Sequence, residues 1–316
     1  MRTGRLIASG EQVVLTAGDL TLTVVTVGGG MRQLTKGDWH VLDGYDPDEI
    51  PIGAYGQPLI PWPNRLADGR YTFRGHTYQV PLTEPDKGNA LHGFARWETW
   101  GVLDCDVSRA VLGLDMYPRA GYPFALSVTI EYSVKPKSVS VVTTAVNAGR
   151  DPLPYAHGFH PYISVGTSQI DECELQMPAQ TWFDTDARQI PIGRRSVKDS
   201  PYDFRAPRDI ASTKLDTAFT DLSRDSDGMA RVRLIGNNGR EIAVAIDQTY
   251  RYVMAFTADT LHDVQRRRRS LGVEPMTAAP NALQSGDGLI VLEPGGSIRS
   301  HWAIEIGSRA ERTPPD

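Results

Sequence analysis

Two short segments place histidine beside glycine, proline and aromatic residues. His92 lies in NALHGFARW at residues 89–97, and His157 and His160 lie in PYAHGFHPYISV at residues 154–165. Because imidazole titrates near neutral pH, histidines in such irregular, aromatic-rich segments predict acid or base chemistry. For each histidine taken alone, the alternative is a structural one, in which the ring fixes a loop by hydrogen bonding.

The aromatic residues around these segments indicate a class of ligand. Trp62, Trp97, Trp100 and Tyr162 lie in or near the same stretches. Sugar rings pack their C–H faces on aromatic rings, and their hydroxyl groups need convergent polar side chains. The pattern therefore favours carbohydrate binding, with burial in the core as the alternative for each ring.

Other kinds of site are not indicated. His157 and His160 are three residues apart with no third metal ligand nearby, and no phosphate loop, nucleophile elbow or paired-cysteine motif occurs. We therefore expect neither a metal nor a cofactor. The four consecutive arginines at residues 266–269 stand in an acidic chain, so we expect an exposed loop rather than an anion-binding surface.

The composition excludes several classes of protein. The 316 residues include 33 Lys and Arg against 38 Asp and Glu, a formal charge of −5, which argues against nucleic-acid binding. Cys105 and Cys173 match no disulfide framework, the N-terminal residues have no apolar leader, and no apolar run approaches the ~20 residues of a membrane span. We expect a cytoplasmic protein that binds no membrane.

The elements that position these residues show a period of two. In residues 125–134, Leu126, Val128, Ile130 and the apolar residues that continue their parity alternate with polar ones, and residues 298–306 do the same. Residues 20–27, 139–146, 231–235, 241–246 and 251–257 also predict strands, separated by turn residues at 237–239 and 286–288. No run of 12 residues has helical periodicity. We predict an all-β sandwich or barrel in a single domain spanning residues 1–316.

Six motifs in fixed order resemble the aldose 1-epimerase (galactose mutarotase) family. They are PWPNRLADGRYTFRGHTYQV at 61–80, NALHGF at 89–94, FHPYISV at 159–165, LDTAF at 215–219, VEPMTAAPNAL at 273–283 and LEPGGS at 292–297. The resemblance implies a large antiparallel β-sandwich, the galactose mutarotase-like supersandwich, with a sugar cleft.

The resemblance also implies roles for individual residues. Arg65 and Asp216 are expected to bind sugar hydroxyls, and His92 to position the substrate near its ring oxygen. His160 is expected to be the general acid that protonates this oxygen.

At one position the sequence differs from the pattern that we expect for the family. We expect the family's base to be a glutamate in a Pro-Gly-Glu turn before the last strand, where this chain has Gly296. Glu293, just ahead of that turn, is then the expected catalytic carboxylate. Glu274, from the motif at 273–283, is expected to contribute to substrate binding.

These expectations combine into one principal function and two alternatives. The principal function is an isomerase that opens and recloses a sugar hemiacetal by acid–base catalysis, acting on a small-molecule sugar as a monomer or homodimer. With the turn glutamate replaced, the alternatives are a family member adapted to a modified sugar or other substrate, and a non-catalytic sugar-binding protein.

Overall fold

Strict alternation of apolar and polar side chains produces long antiparallel strands. In the strand Leu126–Lys135 the even-numbered residues from Leu126 to Val134 are buried and the residues between them are partly exposed. Such a strand covers a core with one face and meets solvent with the other. The structure, a computed structural model, describes residues 5–309, so the ends of the predicted 1–316 domain lie outside it.

The described residues contain 27 strands and one short α-helix, α1 (Ala282–Ser285). The first strands in chain order are β1 (Gln12–Ala17), β2 (Leu20–Val25), β3 (Met31–Lys36), β4 (Trp39–His40), β5 (Pro58–Leu59), β6 (Arg65–Ala67), β7 (Arg70–Phe73), β8 (His76–Gln79), β9 (Asn89–Leu91), β10 (Gly101–Cys105), β11 (Arg109–Met116), β12 (Leu126–Lys135), β13 (Ser138–Asn147) and β14 (Leu153–Tyr155). The remaining strands are β15 (Gly158–Phe159), β16 (Tyr162–Ile163), β17 (Glu174–Gln176), β18 (Ala179–Thr185), β19 (Pro191–Ser196), β20 (Arg208–Asp209), β21 (Asp216–Leu222), β22 (Ala230–Ile235), β23 (Arg240–Ile246), β24 (Tyr252–Phe256), β25 (Leu271–Met276), β26 (Ile290–Leu292) and β27 (Ser297–Ser308).

Two large antiparallel sheets dominate the fold. One has nine strands in the order β10-β11-β12-β13-β27-β23-β22-β17-β20. The other has eight, in the order β19-β18-β21-β24-β25-β15-β5, with β16 also pairing with β25. A four-stranded sheet, β1-β2-β3-β4, and three two-stranded ribbons complete the described strands.

A continuous apolar core joins the two large sheets. Its buried residues run along the chain from Val13 to Ile306 and come from the strands of both sheets. The rings of Phe159 in β15 and Trp302 in β27 meet across it, with centroids 5.1 Å apart. The predicted all-β sandwich is therefore confirmed, because each large sheet buries one face against the other.

Two local features refine the sequence-based predictions. Residues 237–239 form the turn of the hairpin between β22 and β23, where Gly239 has a φ of 79°. Residues 286–288 do not join two strands; they follow α1, whose end is capped by Gly286 in the left-handed conformation. No helix within residues 5–309 has the length and apolarity needed to span a membrane.

Candidate active site

Strand β25 carries a single carboxylate among otherwise apolar residues. All six of its residues are buried, and Glu274 is the only one with an ionisable side chain. Its Oε1 lies 3.2 Å from Nε2 of His160, which follows β15. Both side chains are almost completely buried, at 3% and 6% exposure, so each needs polar partners within the protein.

Aromatic rings fix the His160 imidazole on two sides. Tyr162 stacks on it with centroids 4.6 Å apart and an interplanar angle of 16°. His92 meets it edge to face at 5.5 Å. The HGFHPY segment places His160 and Tyr162 on the same side because they are two residues apart in extended backbone.

The tautomer of His92 follows from a single backbone contact. The backbone N–H of Asn64 donates to Nδ1 of His92 over 3.1 Å, and the N–H of His92 donates to the Asn64 carbonyl. A backbone amide can only donate, so Nδ1 is an acceptor and neutral His92 carries its proton on Nε2. His92 adopts a φ of 65°, an unusual conformation of the kind that clusters at functional sites.

Arg65 is held by a carboxylate that sequence reasoning did not identify. Its Nε and Nη2 donate to the two oxygens of Glu84 over 2.9 and 3.1 Å. Its Nη1 lies 3.9 Å from Oδ1 of Asp216, whose Oδ2 accepts from the side chain of Gln189. The bidentate pair orients the guanidinium and leaves Nη1 facing Asp216 at the edge of the cleft.

Burial shifts the titration of the three central groups toward their neutral forms. Burial, with a smaller contribution from Asp216, raises the pKa of Glu274 to about 8, and Arg65 opposes this. Burial and the charge of Arg96 lower the pKa of His160 to about 3. Burial also lowers the pKa of His92 well below its usual value. At neutral pH the Glu274–His160 pair therefore holds one proton between two nearby acceptors.

The same three side chains satisfy the spacing of a metal site but not its chemistry. One ligand atom each from His92, His160 and Glu274 can be chosen within 4.8 Å of one another. The hydrogen bond from Asn64 occupies Nδ1 of His92, so Nε2 presents an N–H rather than a lone pair. The cluster fits proton transfer to an oxygen-rich ligand better than it fits a metal ion.

The cluster lines a cleft that widens away from it. Asn64, Arg65, His92, His160, Asp216 and Glu274 surround a cavity of about 80 Å³ together with Leu91, Phe256 and Thr260. A second cavity of about 320 Å³ shares Asp216, Phe256 and Thr260 and extends to Trp182 and Tyr202. From Glu274 on β25 the cleft thus crosses β24 and β21 to reach β18, a span of about 14 Å at ordinary strand spacing.

The arginine run is only partly the exposed loop expected from its charge: Arg267 and Arg269 are exposed, whereas Arg266 and Arg268 lie against the rest of the fold. Arg266 pairs with Glu49, Arg268 with Asp171 and Asp259, and Arg269 with Asp43. The side chains of Arg266 and Arg268 are only 16% and 14% exposed. These ion pairs fasten the segment between β24 and β25, which contributes Thr260 to the cleft.

Most of the residues expected at the site do come together, and one does not. Arg65, His92, His160, Asp216 and Glu274 all line the smaller cavity. Glu293 is instead 66% exposed and pairs with Arg74. This placement corrects the expectation of a catalytic role for Glu293.

The turn that contains Gly296 also lies outside the residues that line the cleft. A Cβ at Gly296 would meet the Glu293 carbonyl oxygen at 2.8 Å, so the turn itself favours glycine there. The glycine is explained by this turn, and Glu274 supplies a carboxylate to the cluster. The sequence could have indicated Glu274, because a single acid in an apolar strand has to be paired or protonated.

The remaining candidates lie outside the cleft lining. His157 is fully buried, and its Nε2 lies 2.7 Å from Oγ of Ser300 and 3.1 Å from the Tyr250 hydroxyl. Trp62 and Trp100 are core residues, and Trp97 is half exposed beneath the guanidinium of Arg96. The aromatic rings at the cleft, Phe256 and Trp182, were not distinguished from core aromatics by any pattern in the sequence.

Solved structures with similar backbones define the class of fold. A GalM/aldose epimerase homologue from C. elegans has a TM-score of 0.84 at 17% identity, covering 94% of this chain and 99% of that one. Galactose 1-epimerase from Lactobacillus acidophilus NCFM has a TM-score of 0.77 at 16% identity, covering 93% and 92%. The predicted galactose mutarotase-like fold is confirmed.

Sequence comparison then assigns the family. The model of the aldose 1-epimerase family matches residues 11–305. YihR of Escherichia coli K12, an uncharacterized protein, is 33% identical over 297 residues, covering 94% of this chain and 93% of that protein. Aldose 1-epimerase of the same strain is 30% identical over 166 residues, covering 50% and 46%. The chain belongs to the aldose 1-epimerase family.

Proposed function

We propose that this protein is an isomerase that interconverts the anomers of a reducing sugar. The observation that carries the proposal is the buried contact between His160 and Glu274 in a cleft that also presents Arg65, His92 and Asp216. An anomer exchange needs one group to give a proton to the ring oxygen while another accepts the proton of the anomeric hydroxyl. A pair of groups that shares one proton supplies both the proton donor and the proton acceptor.

The shifted pKa values place the shared proton mainly on Glu274, so the reactive form of the pair is the one in which this proton has moved to His160. We assign His160 as the donor to the ring oxygen and Glu274 as the acceptor of the anomeric proton. Its raised pKa makes the Glu274 carboxylate a stronger base, and its lowered pKa makes the His160 imidazolium a stronger acid. The C1–O5 bond breaks to give the open-chain aldehyde, rotation about C1–C2 exposes its other face, and reversal of both proton transfers closes the ring.

The other polar groups hold the sugar during this exchange. Nε2–H of His92 donates to a sugar oxygen beside His160, and Nη1 of Arg65 together with Asp216 binds hydroxyl groups further along the cleft. Buried donors and acceptors of this kind orient a ligand strongly, because each is left unpaired when a hydroxyl is missing. A cytoplasmic location and a monomeric or homodimeric state are part of the proposal.

The larger cavity supports a second candidate, an isomerase adapted to a modified sugar. A pyranose with its hydroxyl oxygens, built of bonds of about 1.5 Å, spans only about 6 Å, which is less than half of the cleft from β25 to β18. A substituent on the sugar would then lie near Trp182 and Tyr202, whose rings meet at 4.7 Å. Common hexoses would in that case be turned over slowly and a substituted sugar rapidly.

Proton NMR of anomer exchange tests these functions. Freshly dissolved α-D-glucose and α-D-galactose are followed with the wild type, His160→Gln and Glu274→Gln, with Glu293→Gln as the matched carboxylate control. Exchange well above the spontaneous rate, lost in the first two variants and kept in the third, supports the proposal. Saturable sugar binding by calorimetry without acceleration would instead indicate a non-catalytic binding protein.

A further inference from the structure

A column of stacked groups leads from the protein surface to the candidate proton donor. The guanidinium of Arg266 lies over the ring of Tyr55 at 5.1 Å. Tyr55 stacks on Tyr162 with centroids 4.3 Å apart and planes 25° apart, and Tyr162 stacks on His160 at 4.6 Å and 16°. The residues come from three separate segments of the chain, so the column is a tertiary feature.

The Tyr162 ring is fixed more firmly than packing alone requires. Its hydroxyl donates to the carbonyl of Gly53 over 2.9 Å, and Phe256 meets its edge at 6.3 Å. The ring is 2% exposed, so water does not compete for the face that it presents to His160. The imidazole therefore has one face covered by a π system in a water-poor environment.

Few of the charged and titratable groups around His160 favour its protonated form. His160 is approached by Glu274 at Nε2, by the ring of His92 at 5.5 Å and by the positive charge of Arg96. Burial, His92 and Arg96 do not favour a cation there, and only Glu274 among these neighbours does. The face of an aromatic ring carries negative electrostatic potential and attracts a cation most strongly when both are desolvated.

We propose that Tyr162 is a positioning residue for His160, whose ring face holds the imidazole parallel to it and stabilises the imidazolium that donates the proton. The inference rests on the proposed function, in which His160 is the donor. Tyr162 itself does not line the smaller cavity. Its effect therefore reaches the substrate only through His160.

Replacing residue 162 by a graded series separates this electrostatic role from packing. Tyr162→Phe keeps the ring face and removes the hydroxyl, so we expect kcat within about threefold of the wild type. Incorporation of 4-fluoro-, 3,5-difluoro- and pentafluorophenylalanine at the same position nearly preserves the shape while progressively weakening the ring face. We expect log kcat to fall in proportion, by about tenfold over the series, with KM changed less than twofold.

A readout that does not depend on catalysis completes the test. The ¹⁵N shifts of the His160 ring are recorded as a function of pH across the same series, and we expect the midpoint of imidazole protonation to move to lower pH as the ring face is weakened. Tyr55→Leu, one layer further out, is the control and should have a smaller effect on both readouts. Thermal unfolding checks that each variant folds.

The two proposals fail in different ways. Equal kcat and equal midpoints of imidazole protonation from phenylalanine to pentafluorophenylalanine in an active enzyme would overturn the role of Tyr162 and leave the isomerase intact. A wild type that does not accelerate anomer exchange of any sugar would overturn the isomerase. The ¹⁵N series would then still decide whether Tyr162 stabilises the imidazolium.

Discussion

Nε2 of His160 and Oε1 of Glu274 lie 3.2 Å apart in a buried cluster, although one follows β15 and the other lies on β25. Two lone pairs at that distance would repel, so we infer that one of the two atoms carries a proton. Burial disfavours a net charge on either group. Because of this proximity, we expect the titrations of the two side chains to be coupled and their variants to behave as one unit.

Replacing either member of this pair should abolish most of the activity. His160→Gln and Glu274→Gln are each expected to lower kcat by about 10²–10⁴-fold, because proton transfer loses either its donor or its acceptor. The double variant should be little worse than the poorer single variant, since groups that act together are not additive. Single-variant losses that multiply in the double variant would show that the two residues act independently.

A carboxylate added to the turn before β27 should not increase the activity. Gly296→Glu is expected to give no increase in anomer exchange over the wild type, because this turn does not line the cleft and a Cβ there meets the carbonyl of Glu293. Glu293→Gln is expected to keep full activity, because Glu293 is exposed and paired with Arg74. A large gain from the first change, or a large loss from the second, would return the base to this turn.

The pH dependence of catalysis should follow the shared proton. Burial raises the pKa of Glu274 to about 8, so the free enzyme keeps one proton on the pair below that pH and loses it above. We expect kcat/KM, corrected for the spontaneous reaction, to fall about tenfold per unit above pH 8. The lowered pKa of His160, about 3, predicts no acid limb above about pH 4. An acid limb near pH 6 would contradict the pKa shift of His160, and an alkaline limb near pH 6 would contradict that of Glu274.

Glu274 should cost the folded protein stability in alkaline solution. The carboxyl has a usual pKa near 4.5 when unfolded and one of about 8 when folded, so its contribution is lost as pH rises from about 4.5 through 8. Glu274→Gln is expected to raise the free energy of unfolding at pH 9 by up to about 5 kcal/mol, and far less at pH 4.5. Urea unfolding at both pH values checks this, with Glu293→Gln expected to match the wild type.

The buried histidines should weaken the fold in acid. Burial lowers the pKa of His157 to about 3, while the unfolded chain takes up that proton near pH 6.5. Stability is thus lost as pH falls from about 6.5 toward 3, with a slope of about 1.4 kcal/mol per pH unit for this group. His157→Gln should reduce the slope between pH 5 and 6 by about that amount in urea titrations. An unchanged slope would mean that His157 is protonated in the folded protein.

Much of the architecture could be predicted from the sequence, because a strand buried on one face alternates apolar and polar residues with a period of two. The alternation in residues 125–134 and 298–306 matches β12 and β27, since both strands cover the core with one face. Strands buried on both faces show no such alternation. Strand β25 is buried at all six positions, and its only recognisable feature is the acid within it.

The candidate site was predictable as a set of residues rather than as an arrangement. The family resemblance assembled Arg65, His92, His160 and Asp216, which do meet at the cleft. Which carboxylate joins them depends on the orientation of β25 and of the turn before β27 relative to the cleft. No pattern in the sequence indicates that orientation. The same limit hid Glu84, whose contact with Arg65 joins parts of the chain that only the fold brings together.

The ion pairs of the arginine run set a condition for changing substrate preference by exchanging loops. Arg266, Arg268 and Arg269 attach the segment between β24 and β25 to carboxylates at Glu49, Asp171 and Asp43 elsewhere in the chain. Grafting this segment onto a relative would transfer Thr260 without the anchors that hold its backbone. A successful chimera would have to carry those three distant acids with it, so the unit of exchange is a network of positions rather than a loop.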